Sequence, residues 1–264
     1  MAYRQLHKSQ GQPPLVAASG PSNVETRVAS ALMAAMDKLI FSPALAAHVA
    51  CGFALVAAGL APILTRKGSR LHRLSGRIFV TLMSVLLAAA WVMTALHFSA
   101  YFAALTATAT LTTFSGVRVL RRKRPDIDPG QRATAVDWIV TLAVLAIGAW
   151  VLALVMQGRT GDKAAVSAAL VYACFTYGGW DLWRFLRPTA WPFSPNLWTY
   201  EHLVKMLSAY GAVISAFSGN YLTFLPTPWS QLWPTLLFQP MAVIWILVLL
   251  WRQHRRPGRR SAAA

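Results

Sequence analysis

The chain has 264 residues, 56% of them hydrophobic and only 12% charged, whereas soluble domains run near one quarter charged. Its 25 Lys and Arg against 8 Asp and Glu give a formal net charge of +17. The excess falls in short clusters between long apolar runs, which excludes a disordered tail, a disulfide scaffold and a conventional soluble enzyme. The composition describes an all-α, polytopic bundle of membrane helices.

Residues 1–42 read as an N-terminal tail. Within it, 22–41 has the pattern of an amphipathic interfacial helix. Ser22 and Glu25 have capping-box spacing, and Val28, Leu32, Met36, Leu39 and Ile40 share a face opposite Arg27, Ser30, Asp37 and Lys38. No secretory signal is visible there. Residues 43–252 form the expected bundle, and 253–264 a basic cytoplasmic tail. A membrane helix needs about 20 mostly apolar residues. Seven runs come near that length: 43–64, 77–98, 99–120, 134–157, 164–186, 200–225 and 233–251. The fifth and sixth carry ionisable residues inside them.

Basic residues mark cytoplasmic loops. Arg66, Lys67, Arg70, Arg73 and Arg77 separate the first two runs, and Arg118, Arg121, Arg122, Lys123, Arg124 and Arg132 lie between the third and fourth. Arg184 and Arg187 lie at the end of the fifth run and just after it, and five arginines follow the seventh, whereas the alternate loops are nearly free of Lys and Arg. That places the C-terminus in the cytoplasm and basic loops against anionic lipid. The charge follows the alternation of loops, so a nucleic-acid partner is not expected. The 11 Trp fall mostly near run ends or in the linkers 187–198 and 226–240. Two cysteines, Cys51 and Cys174, give neither a disulfide framework nor a thiolate metal site. Gly178 and Gly179 inside the fifth run suit close helix packing.

Polar groups inside the runs sort into two layers. The outer layer holds His48 early in the first run, His97 at the end of the second and Asn220 near the outer end of the sixth. Two histidines on neighbouring helices at one depth are candidate ligands of a b-type haem; otherwise each bonds a carbonyl or a headgroup. His72 and His97 stand 25 residues apart. That is about 37 Å of helix, too far for both to lie well inside a core of about 30 Å.

The inner layer holds Asp137, Asp181, Arg184, Glu201, His202 and Lys205, with His72 in the preceding basic loop. Glu201 with Lys205, and Asp181 with Arg184, are spaced to pair along their own helices. The layer is either a structural ion-pair network pinning helices together, or a proton relay, an anion site or a quinone headgroup site using His202. The third run alternates Ala103, Ala104, Ala107 and Ala109 with Thr106, Thr108, Thr110, Thr112, Thr113 and Ser115. Small residues and hydroxyls of this kind suit a buried central helix.

From His48 to Met83 the chain resembles an uncharacterised bacterial integral membrane family, domain of unknown function 2306. The matching features are His48, Gly52 and Gly59, then Lys67-Gly68-x-x-x-His72-Arg73-x-x-Gly76-Arg77 opening a helix that contains Met83. Glu201-His202-x-x-x-Met206-x-x-Ala209-Tyr210 is similar to that family's second block. The resemblance implicates His48, Lys67, His72, Arg73, Gly76 and His202, and implies a multi-pass protein of the bacterial cytoplasmic membrane. Three functions fit these features. One is electron transfer through haem b or to quinone; another is a non-catalytic subunit or scaffold of a larger membrane complex. The third is a proton-coupled carrier using Asp137, Asp181, Glu201 and His202. Whether the protein is an enzyme stays open at this point.

Overall fold

The computed structural model describes residues 23–189 and 196–254, and every regular element among them is helical. Contacts group the chain into two compact units, 1–40 and 41–264.

In the first unit, α1 is Asn23–Met36, and Val24, Val28 and Leu32 on it are exposed. The helix expected over 22–41 stops being α-helical after Met36, because Asp37–Phe41 forms a π-helical turn. The wider turn moves Leu39 and Ile40 out of the α-helical register that grouped them with Val28 and Leu32. The expected cap of Ser22 with Glu25 and the basic tail from 255 onward lie outside what the structure describes.

The second unit comprises α2 (Ser42–Ala58), α3 (Leu60–Leu64), α4 (Arg70–Leu96), α5 (Ala100–Arg118), α6 (Ala135–Met156), α7 (Ala164–Leu186), α8 (Leu197–Tyr221) and α9 (Trp229–His254). Among the described residues, four helical stretches are long and apolar enough to cross a membrane: Thr26–Leu64, Arg70–Leu96, Pro129–Met156 and Trp229–Arg252. They match the first, second, fourth and seventh apolar runs. At most 33% of any of their apolar windows is buried, so most of that apolar surface faces outward, as it does not in soluble monomers.

Helix α5 has the opposite character. It packs against α4, α6, α7 and α8, and Ala103, Ala104, Ala107, Thr108 and Thr112 on it are buried. Its small side chains let four helices approach. Thr108, Thr110 and Thr112 donate to carbonyls one turn back at 2.7–2.8 Å, which satisfies each hydroxyl in an apolar setting. The central position expected from the Ala/Thr alternation is the one observed.

Three boundaries differ from the sequence pattern. The first run breaks at Gly59, where a β-carbon would lie 2.3 Å from the Tyr210 ring of α8. Tyr210 fills the notch, and its hydroxyl donates to the Val56 carbonyl at 2.8 Å. Helix α4 starts at Arg70, so His72 and Arg73 lie in its first turn and not in a loop. The Ser69 hydroxyl accepts the His72 N–H at 3.1 Å, a cap that extends the helix into the basic segment. Helix α9 begins at Trp229 and runs through Pro234 and Pro240. Of the paired glycines on α7, only Gly178 packs closely: its β-carbon would come 2.8 Å from Leu145, whereas Gly179 faces open space.

Candidate functional site

The outer-layer residues meet. Helix α2 brings His48, the C-terminal cap of α4 brings His97, and α8 brings Asn220, all onto the wall of one cavity of about 560 Å³. Helices α4, α5 and α8 supply most of the remaining wall, which is mainly apolar and aromatic, including Phe53, Tyr101, Phe102 and Phe217. His48 is half-buried, whereas His97 and Asn220 are exposed at the rim. A mostly apolar hollow of this size with a few convergent polar groups has the form of a small-molecule site.

Each polar group is oriented. The Nδ1 of His48 lies 3.3 Å from the Leu86 carbonyl of α4. A carbonyl only accepts, so in the neutral ring Nδ1 carries the proton and Nε2 keeps its lone pair. His97 packs edge-on against Phe41, ring centroids 4.7 Å apart. The Asn220 amide donates to the Ala216 carbonyl at 2.7 Å, leaving its oxygen available.

The inner-layer residues also meet, in a pairing that differs from the expected one. Asp181 pairs with Lys205, and Arg184 lies 3.6 Å from Glu201. Both pairs join α7 to α8, replacing the pairs expected within each helix. A pair across helices buries both partners: Asp181 and Lys205 are 1% and 2% exposed. Glu201 also accepts from the Trp180 indole at 2.7 Å. Asp137 takes a bidentate bond from Arg118 at 2.9 and 2.7 Å, with Arg122 at 3.9 Å. It also accepts the Thr134 N–H at 2.9 Å and the Thr134 hydroxyl at 2.8 Å. Asp137 is thus the N3 carboxylate of a capping box as well as a counterion. A small void of about 20 Å³, the size of one water, touches Arg122, Asp181, Arg184 and Glu201. The Arg122 Nε and Asp181 Oδ2 are buried there without a hydrogen-bond partner.

His72 and His202 do what His48 does. The Nδ1 of His72 lies 3.0 Å from the Pro62 carbonyl, and that of His202 lies 2.8 Å from the Gly116 carbonyl. Lys67 donates to the Pro62 and Ile63 carbonyls at 2.8 Å, and Arg73 to the Gly68 carbonyl at 2.7 Å. Gly68 takes φ +77°, a conformation glycine adopts without strain. Lys67, His72 and Arg73 therefore tie the α3–α4 turn together by satisfying carbonyls at a helix end, while Gly76 faces open space.

Several partners were hidden in the sequence. Arg118 and Arg122 look like topology charges but serve Asp137, and the spacing Thr134-x-x-Asp137 was the available sign of its cap. Tyr177, Ser208 and Gln239 form a partly buried chain between α7, α8 and α9. Gln239 donates to the Tyr177 hydroxyl at 2.8 Å, and Tyr177 is hydrogen-bonded to Ser208. No grouping of three or more His, Cys, Asp or Glu suited to a metal ion occurs among the described residues; a haem needs only its axial ligands from the protein. No family model, curated protein or solved structure matches the chain.

Proposed function

We propose that this protein is a multi-pass membrane protein that carries electrons through a b-type haem seated in the outer cavity, with His48 and His97 as its ligands. The observation that supports this reading is the convergence of His48, His97 and Asn220, from three helices, on one apolar cavity of about 560 Å³. The residues fit the group. A ligating histidine usually donates its second nitrogen to a carbonyl or carboxylate, which fixes the ring and raises the basicity of the ligand nitrogen. His48 has that bond to Leu86. The aromatic wall suits a flat conjugated ring, and the apolar lining excludes water. Haem there would supply one-electron chemistry; the chain binds it, orients it and keeps it dry.

In this reading all seven helices from α2 to α9, with α2 and α3 counted as one span, cross the cytoplasmic membrane of a bacterium. The basic loops and the C-terminal tail lie inside, against anionic lipid, and α1 lies at the interface. Helices α5, α7 and α8 carry polar groups because the apolar helices shield them from lipid. The inner layer is the anchor of the bundle, since Asp137, Asp181 and Glu201 each already hold a cation. A quinone or a partner subunit on the membrane would exchange the electrons.

The test is an absorption spectrum of the detergent-purified protein, as isolated and dithionite-reduced, after expression with ample haem. A Soret band and sharp reduced α and β bands near one haem per chain are expected, lost in the double variant His48→Ala, His97→Ala. A flat visible spectrum from the wild type, or full haem in the double variant, removes the assignment.

A further inference from the structure

A cation packs against two wall residues of the outer cavity and has no carboxylate partner among the described residues. Lys163 ends the short 3-10 turn Gly161–Lys163 that leads into α7. Its ammonium lies 5.3 Å from the centroids of both Tyr101 and Phe102, which are themselves wall residues of the cavity. It makes no ion pair with a carboxylate among the described residues, unlike the buried Lys205. The turn lies at the end of the bundle where Lys and Arg are scarce. Ring faces attract an ammonium but leave its hydrogen-bond donors unused. The polar residues lining the wall itself are His48, His97, Asn220, Tyr101, Tyr221, Thr94 and Thr106, with no Asp, Glu, Lys or Arg among the lining residues. An apolar hollow with an ammonium packed behind two of its wall rings is complementary to an apolar molecule with an anionic edge.

We propose that the occupant of the outer cavity carries a carboxylate at its edge and that Lys163 pairs with it. The inference rests on the haem reading above and deepens it: Lys163 would hold a propionate side chain of the macrocycle. Phe53, Phe102 and Phe217 would border the macrocycle, His48 and His97 would hold its iron, and Lys163 would pair with its carboxylate. Lys163 positions the ligand and takes no part in electron transfer.

The test compares two ligands that differ only in that carboxylate. Apo-protein made in a haem-deficient host is titrated in detergent with haemin and with haemin dimethyl ester, in which both propionates are esterified and uncharged. A charge-assisted pair at a partly buried rim predicts that wild type binds haemin on the order of tenfold more tightly than the ester. Lys163→Gln should lose most of that ratio by weakening haemin alone, and Lys163→Arg should keep it. Arg159→Gln, which changes the neighbouring basic residue, should also keep it. Equal binding of both ligands by wild type, or an undiminished ratio in Lys163→Gln, overturns the role of Lys163 while leaving the haem reading intact. Binding of neither ligand overturns the haem reading, and the carboxylate inference with it.

Discussion

The two ends of the bundle use polar residues in opposite ways. At the outer end, imidazole and amide groups from α2, α4 and α8 border a hollow of about 560 Å³. At the inner end, full charges from α5, α6, α7 and α8 close on each other and leave a void of about 20 Å³. Charge explains the contrast. A buried ion is tolerated only when a counterion and hydrogen bonds compensate its desolvation, so the inner groups draw helices together until the space is gone. A neutral imidazole or amide needs one carbonyl to be satisfied. His48 and Asn220 can be held by Leu86 and Ala216 while the rest of each side chain faces open space. Packed charge builds the scaffold, and satisfied neutral groups leave room for a ligand.

That contrast can be broken most severely at the inner end. Asp181→Ala leaves the Lys205 ammonium buried without its carboxylate, and removing one partner of such a pair costs about 3–5 kcal/mol. A drop in thermal midpoint of many degrees is expected, read by tryptophan fluorescence or by aggregation in detergent. The double variant Asp181→Leu, Lys205→Met should recover much of the loss, because an apolar pair needs no compensation. A single variant as stable as wild type would show that the pair does not anchor α7 to α8.

The wall between the two ends is broken less severely. Gly59→Ala places a methyl 2.3 Å from the buried Tyr210 ring, and overpacking of this kind costs about 1–3 kcal/mol. Because Tyr210 also holds the Val56 carbonyl, the strain should loosen α2, which carries His48. Melting and ligand affinity are expected to fall together. A fall in stability with unchanged affinity would separate the notch from the cavity.

The smallest effect belongs to the half-buried loop pair. Arg124 bonds Asp126 at 3.1 and 2.9 Å and holds its carboxyl below the ordinary value. A carboxyl depressed in the folded state contributes stability above its unfolded value, near 3.9, and loses it as the pH falls through the lower folded value. Arg124→Gln should therefore differ from wild type in full at pH above about 4, and the difference should fade as the pH falls below that, until the two converge in stronger acid. At this exposure, solvent screens the pair, so a large shift in melting at neutral pH would show that the loop carries more of the fold than its contacts imply.

The sequence by itself determined that the chain is helical and apolar and where seven apolar runs lie, four of which fall in stretches long and apolar enough to cross a membrane. Those properties are local sums over about 20 residues, and no neighbour can change them. It also determined that α5 would be buried, because an alternation of Ala and Thr offers little to lipid and much to close helix contacts. The grouping of His48, His97 and Asn220 at one depth was readable from their distances to the run ends. Spacing along one helix misassigned the ion pairs, since Asp181 and Glu201 each had a cation within one turn. Only the tertiary structure decided that Lys205 and Arg184 serve them from the opposite helix. It alone also decided that Arg118 and Arg122 turn inward to Asp137, that Gly59 ends α2 against Tyr210, and that the outer histidines border a hollow. The reason is the same in each case: pairing, notches and cavities are set by which faces of different helices meet, and the order of residues along any one helix does not carry that information.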